Sequence, residues 1–396
     1  MGPLEGIKVI ELAQIMAGPT CGMLLADMGA DVIKVEKLPG GDDTRSYTEP
    51  AIRGESAAFM VLNRNKRGIA VNLKTPGGLE VVKKLLADAD VVTENYRKGT
   101  LEKLGLGYED VLQKLNPRLV YCAISGYGRT GPYADKPGFD LILQGFAGIM
   151  SVTGEPGREP VKSGTSIADI NSGILAALGI VSALQARERT GRGQMVETSL
   201  MEAAVQQMYW QAAIYFATGV SSGPTGSAHI LTAPYQAFPT ADGWINIGGA
   251  NQPNWERIAR TIGRAELIDD ARFKTNGDRM RHLDELVPLI SERTKTRSSA
   301  EWIRDFETAG VPVGPVNNIG KVLADPQVKA REMLVEVEHS TVGRTQATGL
   351  PIKFSDTPGG VTRGAPTLGE HTNEVLASLG YSDSAVAQLR KEGAVA

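Results

Sequence analysis

The chain is poor in the residues from which most metal and thiol sites are built. It has two cysteines, Cys21 and Cys122, and four histidines among 396 residues. Neither residue type recurs at the spacing of a metal cage, so we expect no metal site. Two isolated thiols in apolar stretches are typical of buried, inert cysteines and favour a reducing compartment.

The chain also lacks an excess of charge of either sign. It carries 42 Lys and Arg against 45 Asp and Glu, a formal charge of -3. Such a balance gives no overall field to gather nucleic acid or an anionic membrane, so neither is expected as a partner. The start, Met1–Gly6, has no signal-peptide pattern, and no run was expected to approach the ~20 apolar residues of a membrane span. We therefore expect a cytoplasmic protein.

Several common catalytic motifs are missing. The turn Ala13–Pro19 has no G-x-G-x-x-G, which argues against a nicotinamide or flavin dinucleotide. There is no G-x-S-x-G elbow, P-loop or H-E-x-x-H either. Acid–base and nucleophilic chemistry would therefore fall mainly to carboxylates.

The composition is that of a folded protein of more than one domain, with 42 % hydrophobic residues and 46 glycines. The first third alternates short β-branched runs with amphipathic segments, which predicts an α/β fold with a Rossmann-like parallel sheet. The predicted strands are Ile7–Leu12, Asp31–Glu36, Ile69–Leu73, Asp90–Glu94 and Leu119–Ile124. We expect helices at Gly18–Met28 and Gly77–Ala87, with a shorter one at Tyr108–Leu115.

The later chain predicts a second, smaller α+β domain. A hairpin at Tyr235–Pro239 and Trp244–Ile247 follows a Ser-, Gly- and Pro-containing stretch, Val220–Gly226. A single apolar helix is expected from about Leu200 to Thr218. We assign the large domain to residues 1–205 and 322–396, a linker to 206–225 and the small domain to 226–321.

Ligands of parallel sheets bind beyond the carboxyl ends of the strands. The residues expected there, just past each strand, are Gln14, Met16, Lys37, Lys74, Asn95, Arg97 and the segment Ser125 to Tyr127. Several suit phosphate or amide recognition, although ordinary solvated loops give the same pattern.

Asp169 is the best candidate for a catalytic carboxylate. It stands at the start of a long helix rich in small residues, where exposed amides favour an anion. The alternative from spacing alone is a helix N-cap, a position that Asp fills well.

Motifs along the whole chain resemble those of the class III coenzyme A transferases. The resemblance rests on the following segments: Leu4–Leu12, Ala17–Pro19, Ala26–Glu36, Asn63–Arg67, Glu94–Arg97, Gly191–Gln194, Pro234–Phe238 and Leu368–Thr372. It implies that Asp169 forms a mixed anhydride with the acyl group and then a thioester with coenzyme A (CoA). A covalent route of this kind replaces one difficult step by two easier ones. The resemblance also implies an interlocked, ring-like homodimer and no permanently bound cofactor, with acyl-CoA as substrate.

The same resemblance implies a set of CoA-contacting residues: Met16, Lys37, Leu73, Lys74, Asn95, Arg97 and Lys103. Formyl-CoA transferase has Gln in place of Met16, and Arg in place of Lys37 and Lys103. A lysine keeps the charge but loses the bidentate fork of arginine. These differences argue against oxalate as the acceptor.

Two other functions are weighed against the transferase. An α-methylacyl-CoA racemase needs a base on each face of the α-carbon, and its A-G-H-D stretch corresponds here to Pro137, Gly138, Phe139 and Asp140. Phe139 cannot accept a proton, which disfavours racemisation. A CoA-binding protein without turnover is disfavoured by the presence of Asp169.

The acceptor is predicted by resemblance alone. The segments Gly226–His229 and Pro234–Phe238 resemble the branch that uses succinyl-CoA and dicarboxylates. His229 or Arg45 could hold the distal carboxylate of such an acceptor. The Gly248-Gly249 turn is a candidate for a mobile covering loop, with the plain end of a hairpin as the alternative.

Overall fold

The computed structural model describes residues 1–396. By its internal contacts the chain divides into two compact units. The first contains residues 1–148, 163–208 and 325–396, and the second contains residues 149–162 and 209–324. The first unit is therefore assembled from three separate stretches of chain.

A six-stranded parallel sheet forms the centre of the first unit, with its strands in the order Arg67–Val71, Asp31–Lys37, Lys8–Leu12, Val91–Glu94, Val120–Ser125 and Met195–Ser199. The strands of this unit are β1 Lys8–Leu12, β2 Asp31–Lys37, β3 Ala51–Ile52, β4 Glu55–Ser56, β5 Arg67–Val71, β6 Val91–Glu94, β7 Val120–Ser125, β8 Met195–Ser199, β12 Leu334–His339 and β13 Gly343–Thr348. The second unit has β9 Tyr235–Pro239, β10 Trp244–Gly248 and β11 Val313–Pro315. The buried Val- and Ile-rich runs of β1, β2 and β6 are typical of a parallel sheet covered on both faces.

Helices cover this sheet and make up most of the second unit. In chain order they are α1 Ala17–Asp27, α2 Ala57–Asn63, α3 Pro76–Ala87, α4 Thr100–Lys103, α5 Gln113–Leu115, α6 Asp140–Phe146, α7 Ile149–Val152, α8 Ile167–Thr190, α9 Leu200–Gln206, α10 Tyr209–Thr218, α11 Gln252–Thr261, α12 Asn276–Arg281, α13 Leu283–Thr294, α14 Ser299–Thr308, α15 Ile319–Ala324, α16 Pro326–Ala330, α17 Thr372–Ser378 and α18 Asp383–Lys391. A π-helical turn, Tyr108–Leu112, precedes α5. The parallel sheet with crossover helices is the α/β architecture that the sequence predicts.

All five predicted strands are present, and the one at Ile69–Leu73 is displaced. The observed strand is β5, Arg67–Val71. The amide of Asn72 donates to Ala394 O at 2.8 Å instead of continuing the ladder, and Val71 bridges to Val395. The C-terminal tail thus ends β5, which no local pattern could indicate.

The predicted helix from Leu200 to Thr218 is broken into α9 and α10. Tight i to i−3 bonds, Gln207 N–H to Ala204 O and Met208 N–H to Val205 O, close α9 before α10 begins. The span 206–225, expected to be a linker, contains α10 at Tyr209–Thr218.

The expectation about membrane-length segments also needs correction. Helix α8 is long and apolar enough to cross a membrane, judged by length and composition alone. Core helices of soluble proteins meet the same criterion. The small side chains of α8, with Gly173 and Ala176 among them, are buried against α1, α9 and the sheet.

The second unit is α+β. A three-stranded antiparallel sheet, β11-β10-β9, packs on helices around the buried side chains of Phe238, Trp255, Ile290 and Phe306. The predicted hairpin is present as β9 and β10.

Candidate active site

The strand order creates a crevice at the carboxyl edge of the main sheet. From β1 the chain proceeds to β2 and β5 on one side, and then to β6, β7 and β8 on the other. Loops diverge at such a switch point and leave room for a ligand. A cleft of about 420 Å³ lies here. Eight of its lining residues are among those singled out in the sequence: Gln14, Met16, Asn95, Arg97, Ser125, Gly126, Phe139 and Asp169.

The remaining predicted CoA contacts do not line this cleft. Lys37, Lys74 and Lys103 are exposed, and the ammonium group of Lys37 is paired with Asp43. Leu73 is partly buried against the core. Lys37 is nevertheless the last residue of β2, and Lys74 follows β5, on the same sheet edge as the cleft.

Asp169 is the third residue of α8, and it does not cap that helix. Ser166 is the N-cap, and its side chain makes no capping bond. The carboxylate of Asp140 replaces the cap, because its Oδ1 accepts from the amides of Ala168 at 2.9 Å and Asp169 at 3.3 Å. No protein group donates a hydrogen bond to the Asp169 carboxylate, which opens into the cleft. The N-cap alternative for Asp169 is therefore wrong.

Asp140 is held by a buried glutamine. Gln144 lies one turn later on α6, where its Nε2 donates to Asp140 Oδ2 at 2.7 Å. Its Oε1 accepts from the amide of Ser163 at 2.8 Å. This network joins α6 to the segment that leads into α8, and so it fixes the start of the helix that carries Asp169.

The pKa of Asp169 is raised to about 7, chiefly by burial and then by repulsion from the nearby Asp140 carboxylate. A partly buried carboxylate that lacks protein hydrogen-bond donors is a stronger nucleophile than a fully solvated one. Perturbed carboxyl groups in clefts are typical of functional sites.

Helix α1 lies against the same end of α8. A Cβ added to Gly173 would lie 2.6 Å from Ala17 O and 2.8 Å from Thr20 Cβ, so only glycine permits this approach. Asp169 is one turn earlier on α8, and it lines the cleft together with Ala17. The first bond of α1 is Thr20 N–H to Met16 O at 2.8 Å. Pro19 has no N–H, so the first-turn donors without an intrahelical acceptor are the amides of Ala17, which lines the cleft, and Gly18. Such amides are suited to stabilise an oxyanion.

Asn95 has a role that the sequence analysis did not assign. Its amide group pairs with the backbone of Gln14: Gln14 N–H donates to Oδ1 at 2.9 Å, and Nδ2 donates to Gln14 O at 2.8 Å. Through these two hydrogen bonds, Asn95 links the loop after β6 to the turn after β1.

Arg45, a candidate for holding the distal acceptor carboxylate, makes several contacts inside the fold. Its Nε and Nη2 donate to the Glu36 carboxylate at 2.7 Å each, and Nη2 also donates to Pro366 O at 3.0 Å. The guanidinium group stacks 3.5 Å from the centre of the Phe59 ring. These contacts engage Nε and Nη2 inside the fold, which argues against an acceptor role for Arg45.

The Gly248-Gly249 turn and His229 belong to the second unit. Both glycines are buried, and their amides donate to Pro312 O and Pro234 O, so the hairpin-end alternative describes this turn better than a mobile loop. His229 lines a separate cavity of about 430 Å³ together with Ser227 and Tyr235.

Asp42, Lys34 and Gln144 are residues of the site's surroundings that sequence reasoning missed. Asp42 followed two residues later by Thr44 is a local turn signature, and Gln144 is four residues from Asp140 on a helix. Neither signal indicates which distant backbone the side chain reaches. No group of three or more His, Cys, Asp or Glu side chains is arranged to hold a metal ion.

Comparison with known proteins bears on this site as a whole. The sequence matches the family model described as CoA-transferase family III over residues 4–372. It is 38 % identical to the succinyl-CoA:glutarate CoA-transferase of Homo sapiens, over 99 % of this chain and 90 % of that protein. It is 42 % identical to the succinate--glutarate CoA-transferase of Agrobacterium fabrum, over 95 % of this chain and 96 % of that one.

A solved structure has the same fold. The CAIB/BAIF family protein from Brucella suis superposes with a TM-score of 0.86 at 42 % identity, covering 96 % of this chain and 99 % of that one. The resemblance inferred from the motifs is confirmed, and with it the enzyme class. The chain belongs to CoA-transferase family III and is an enzyme of that class.

Proposed function

We propose that this enzyme transfers CoA from succinyl-CoA to a dicarboxylate acceptor, with Asp169 as the covalent nucleophile. The observation that carries the proposal is the Asp169 carboxylate itself, which opens into the cleft beside the first turn of α1 without a hydrogen-bond donor. The relatives named for succinyl-CoA and glutarate support this pair of acids.

In the first half-reaction, a carboxylate oxygen of Asp169 attacks the thioester carbon of succinyl-CoA. The carbon–sulfur bond breaks, which gives a mixed anhydride and the CoA thiolate. The thiolate then attacks the Asp169 carbonyl carbon and releases succinate, which leaves an aspartyl-CoA thioester. Free amides at the start of α1 are suited to stabilise the oxyanions that form on these carbonyl groups.

In the second half-reaction, the acceptor carboxylate attacks the aspartyl thioester and expels the CoA thiolate. The thiolate attacks the acceptor carbonyl of the new mixed anhydride, which yields acceptor-CoA and regenerates the Asp169 carboxylate. One aspartyl oxygen leaves with succinate and one acceptor oxygen replaces it, so atoms and charge balance over the cycle.

CoA is proposed to extend from the cleft along the carboxyl edge of the sheet. Arg97 lines the cleft and is exposed, while Lys37, Lys74 and Lys103 are exposed cations of the same unit. Exposed ammonium and guanidinium groups suit the phosphates of CoA. Racemisation is not proposed, since Phe139 places an apolar side chain at the cleft instead of a second base.

His229 is proposed to bind a carboxylate in the cavity of the second unit. Its Nδ1 accepts from the amide of Leu231 at 3.1 Å, which puts the ring proton on Nε2. That N–H group, with Ser227 in the same cavity, offers donors to a carboxylate.

A homodimer is proposed on the basis of unburied apolar helix faces. Helix α10 contains Trp210, Tyr215 and Phe216, yet none of its residues is buried, and Phe216 is 84 % exposed. Large exposed apolar faces mark protein interfaces. The occupant proposed here is a second copy of the chain, as the resemblance to the family implies.

The test of the proposed function is mass spectrometry after incubation with succinyl-CoA and quenching with hydroxylamine or borohydride. Wild type should carry the modification on the peptide containing Asp169, and Asp169→Asn should carry none. The matched control is Asp135→Asn, another carboxylate at the same cleft, which should still yield the modified Asp169 peptide. An unmodified wild-type peptide, together with exchange of the α-proton of a branched acyl-CoA, would contradict the transferase proposal and favour a racemase.

A further inference from the structure

The turn between β1 and α1 contains a strained residue. Ile15 has φ +68°, the left-handed region that β-branched side chains strongly disfavour. Such a conformation persists only where the surroundings hold it, and it is found most often at functional sites. Gln14 and Met16, the neighbours of Ile15, both line the cleft.

Side chains hold four successive polar groups of this turn. Lys34 Nζ donates to Ala13 O at 2.8 Å, and Asn95 pairs with the N–H and C=O groups of Gln14. The amide of Ile15 donates to both carboxylate oxygens of Asp42, at 3.1 and 3.2 Å. The backbone path from β1 into α1 is therefore determined by three side chains from elsewhere in the fold.

Asp42 is itself held in a closed network of charges. Its Oδ2 lies 2.9 Å from Lys34 Nζ, and both side chains are fully buried. Its Oδ1 accepts from the amide of Thr44 at 2.9 Å and the hydroxyl at 2.8 Å.

The positive and negative charges of this network are equal in number. Lys34 also pairs with Glu11 at 2.9 Å, and Glu11 pairs with Lys66 at 2.8 Å. The result is two carboxylates and two ammonium groups, none of them exposed. A buried network of this kind fixes geometry more surely than it adds stability.

We propose that Asp42 is a positioning residue for the transferase reaction. Together with Lys34 it holds Ile15 in the left-handed conformation, and this aims the first-turn amides of α1 at the site of reaction beside Asp169. Asp42 touches no substrate, and its effect passes through the backbone of the turn. The inference rests on the proposed function, because it assumes that Asp169 is the nucleophile.

The test replaces both members of the Lys34–Asp42 ion pair, so that no unpaired charge is left buried. In Lys34→Met/Asp42→Ala, the remaining Glu11 and Lys66 neutralise each other. The single-turnover rate of aspartyl-CoA formation should fall at least tenfold per folded molecule, while KM for succinyl-CoA stays within threefold. Adding Ile15→Gly should raise that reduced rate at least threefold, because glycine adopts positive φ without the hydrogen bonds made by Lys34 and Asp42.

The matched control is a different buried ion pair, one of whose members is on α1. Asp27 pairs with Arg64 at 2.6 Å at the opposite end of the helix. Asp27→Ala/Arg64→Met should lower Tm comparably but leave the rate per folded molecule within twofold. If the Lys34→Met/Asp42→Ala variant does not fold, Asp42→Asn serves instead. Its rate of aspartyl-CoA formation should fall at least threefold, because asparagine has one acceptor oxygen where aspartate has two.

Two results would overturn the positioning role: a rate within twofold of wild type in a folded Asp42 variant, or no recovery on adding Ile15→Gly. Failure of the proposed function would look different, because the wild-type protein would then carry no adduct on Asp169. An adduct in wild type combined with an unaffected Asp42 variant refutes the positioning role alone.

Discussion

Asp140 holds the backbone of Asp169 and at the same time disfavours the charge on its side chain. Its carboxylate accepts from the Asp169 amide at 3.3 Å, and its negative charge adds to burial in raising the Asp169 pKa. A single residue thus orients the nucleophile and raises its basicity.

We expect the rate of the first half-reaction to depend on the ionisation of Asp169. The attacking form is the carboxylate, so the rate of aspartyl-CoA formation should rise with pH through about 7 and then level off. Stopped-flow or quenched measurements from pH 5.5 to 8.5 would show this.

The Asp140→Asn variant should move that midpoint to lower pH, because it removes the repelling charge but keeps an acceptor for the Ala168 amide. The matched variant Asp135→Asn should leave the midpoint in place, since Asp135 is not among the causes of the shift. A profile that is flat across pH 7 in wild type would contradict the role of Asp169 as the titrating nucleophile.

Asp169→Asn should be more stable than wild type at pH 8 and about equal to it at pH 4. The pKa of this group rises from 3.8 in the unfolded chain to about 7 in the fold. The stability that it contributes is therefore complete below pH 4 and is lost as pH rises through 7. Asparagine has no charge to bury, so we expect a gain of about 1–4 kcal/mol at pH 8.

Thermal unfolding of wild type and Asp169→Asn at the two pH values measures this difference. For a chain of this size the gain corresponds to a Tm increase of roughly 1–4 °C. Equal Tm values at pH 8 would show that Asp169 is not destabilised by its surroundings.

Arg97→Gln should weaken CoA binding with little effect on the chemical step. Arg97 is an exposed cation that lines the cleft, and a charge-assisted contact to phosphate contributes about 1.5–3 kcal/mol. We therefore expect KM for succinyl-CoA to rise roughly tenfold or more, with kcat changed less than threefold.

The control is Arg118→Gln. Arg118 is exposed and precedes β7, so it lies at the amino edge of the sheet, away from the cleft. The KM of the Arg118→Gln variant for succinyl-CoA should equal that of wild type at several salt concentrations. Equal KM values in both variants would argue against the CoA path along the carboxyl edge.

Gly173→Ala should separate α1 from α8. The new methyl group would lie 2.6 Å from Ala17 O, which is backbone and cannot rotate away. Overpacking of this kind costs about 1–3 kcal/mol, and movement of the first turn of α1 should also slow aspartyl-CoA formation. Thermal unfolding and single-turnover rates would measure the two effects.

Gly164→Ala provides the comparison for Gly173→Ala. Nothing lies within 4 Å of an added Cβ at Gly164, which is in the segment before α8. It should change Tm and rate little. A Gly173→Ala enzyme with the stability and rate of wild type would show that the two helices can move apart freely.

Local pattern was enough to predict the layered part of the fold. The β-branched runs of β1, β2 and β6 are buried on both faces, so their composition identifies them without knowledge of their partners. Asp169 could be singled out because it opens an apolar helix of small residues, and motif resemblance then assigned its chemistry. The cationic loops after β2, β5 and β6 follow from the rule that parallel strands end at one edge.

Tertiary structure alone decided which of these groups meet. Arg45 looks like a free cation in the sequence, yet its Nε and Nη2 donate to Glu36 and Pro366. Asp42 and Asp140 look like turn and helix-start residues, yet they hold the backbones of Ile15 and Asp169, which are 27 and 29 residues away.

The physical reason is the range over which each determinant acts. Secondary structure depends on side-chain period and on neighbours within a few residues, which the sequence displays directly. Hydrogen-bond partners, burial and pKa depend on distances between distant segments, and these exist only once the strand order and the packing of α1 on α8 are set.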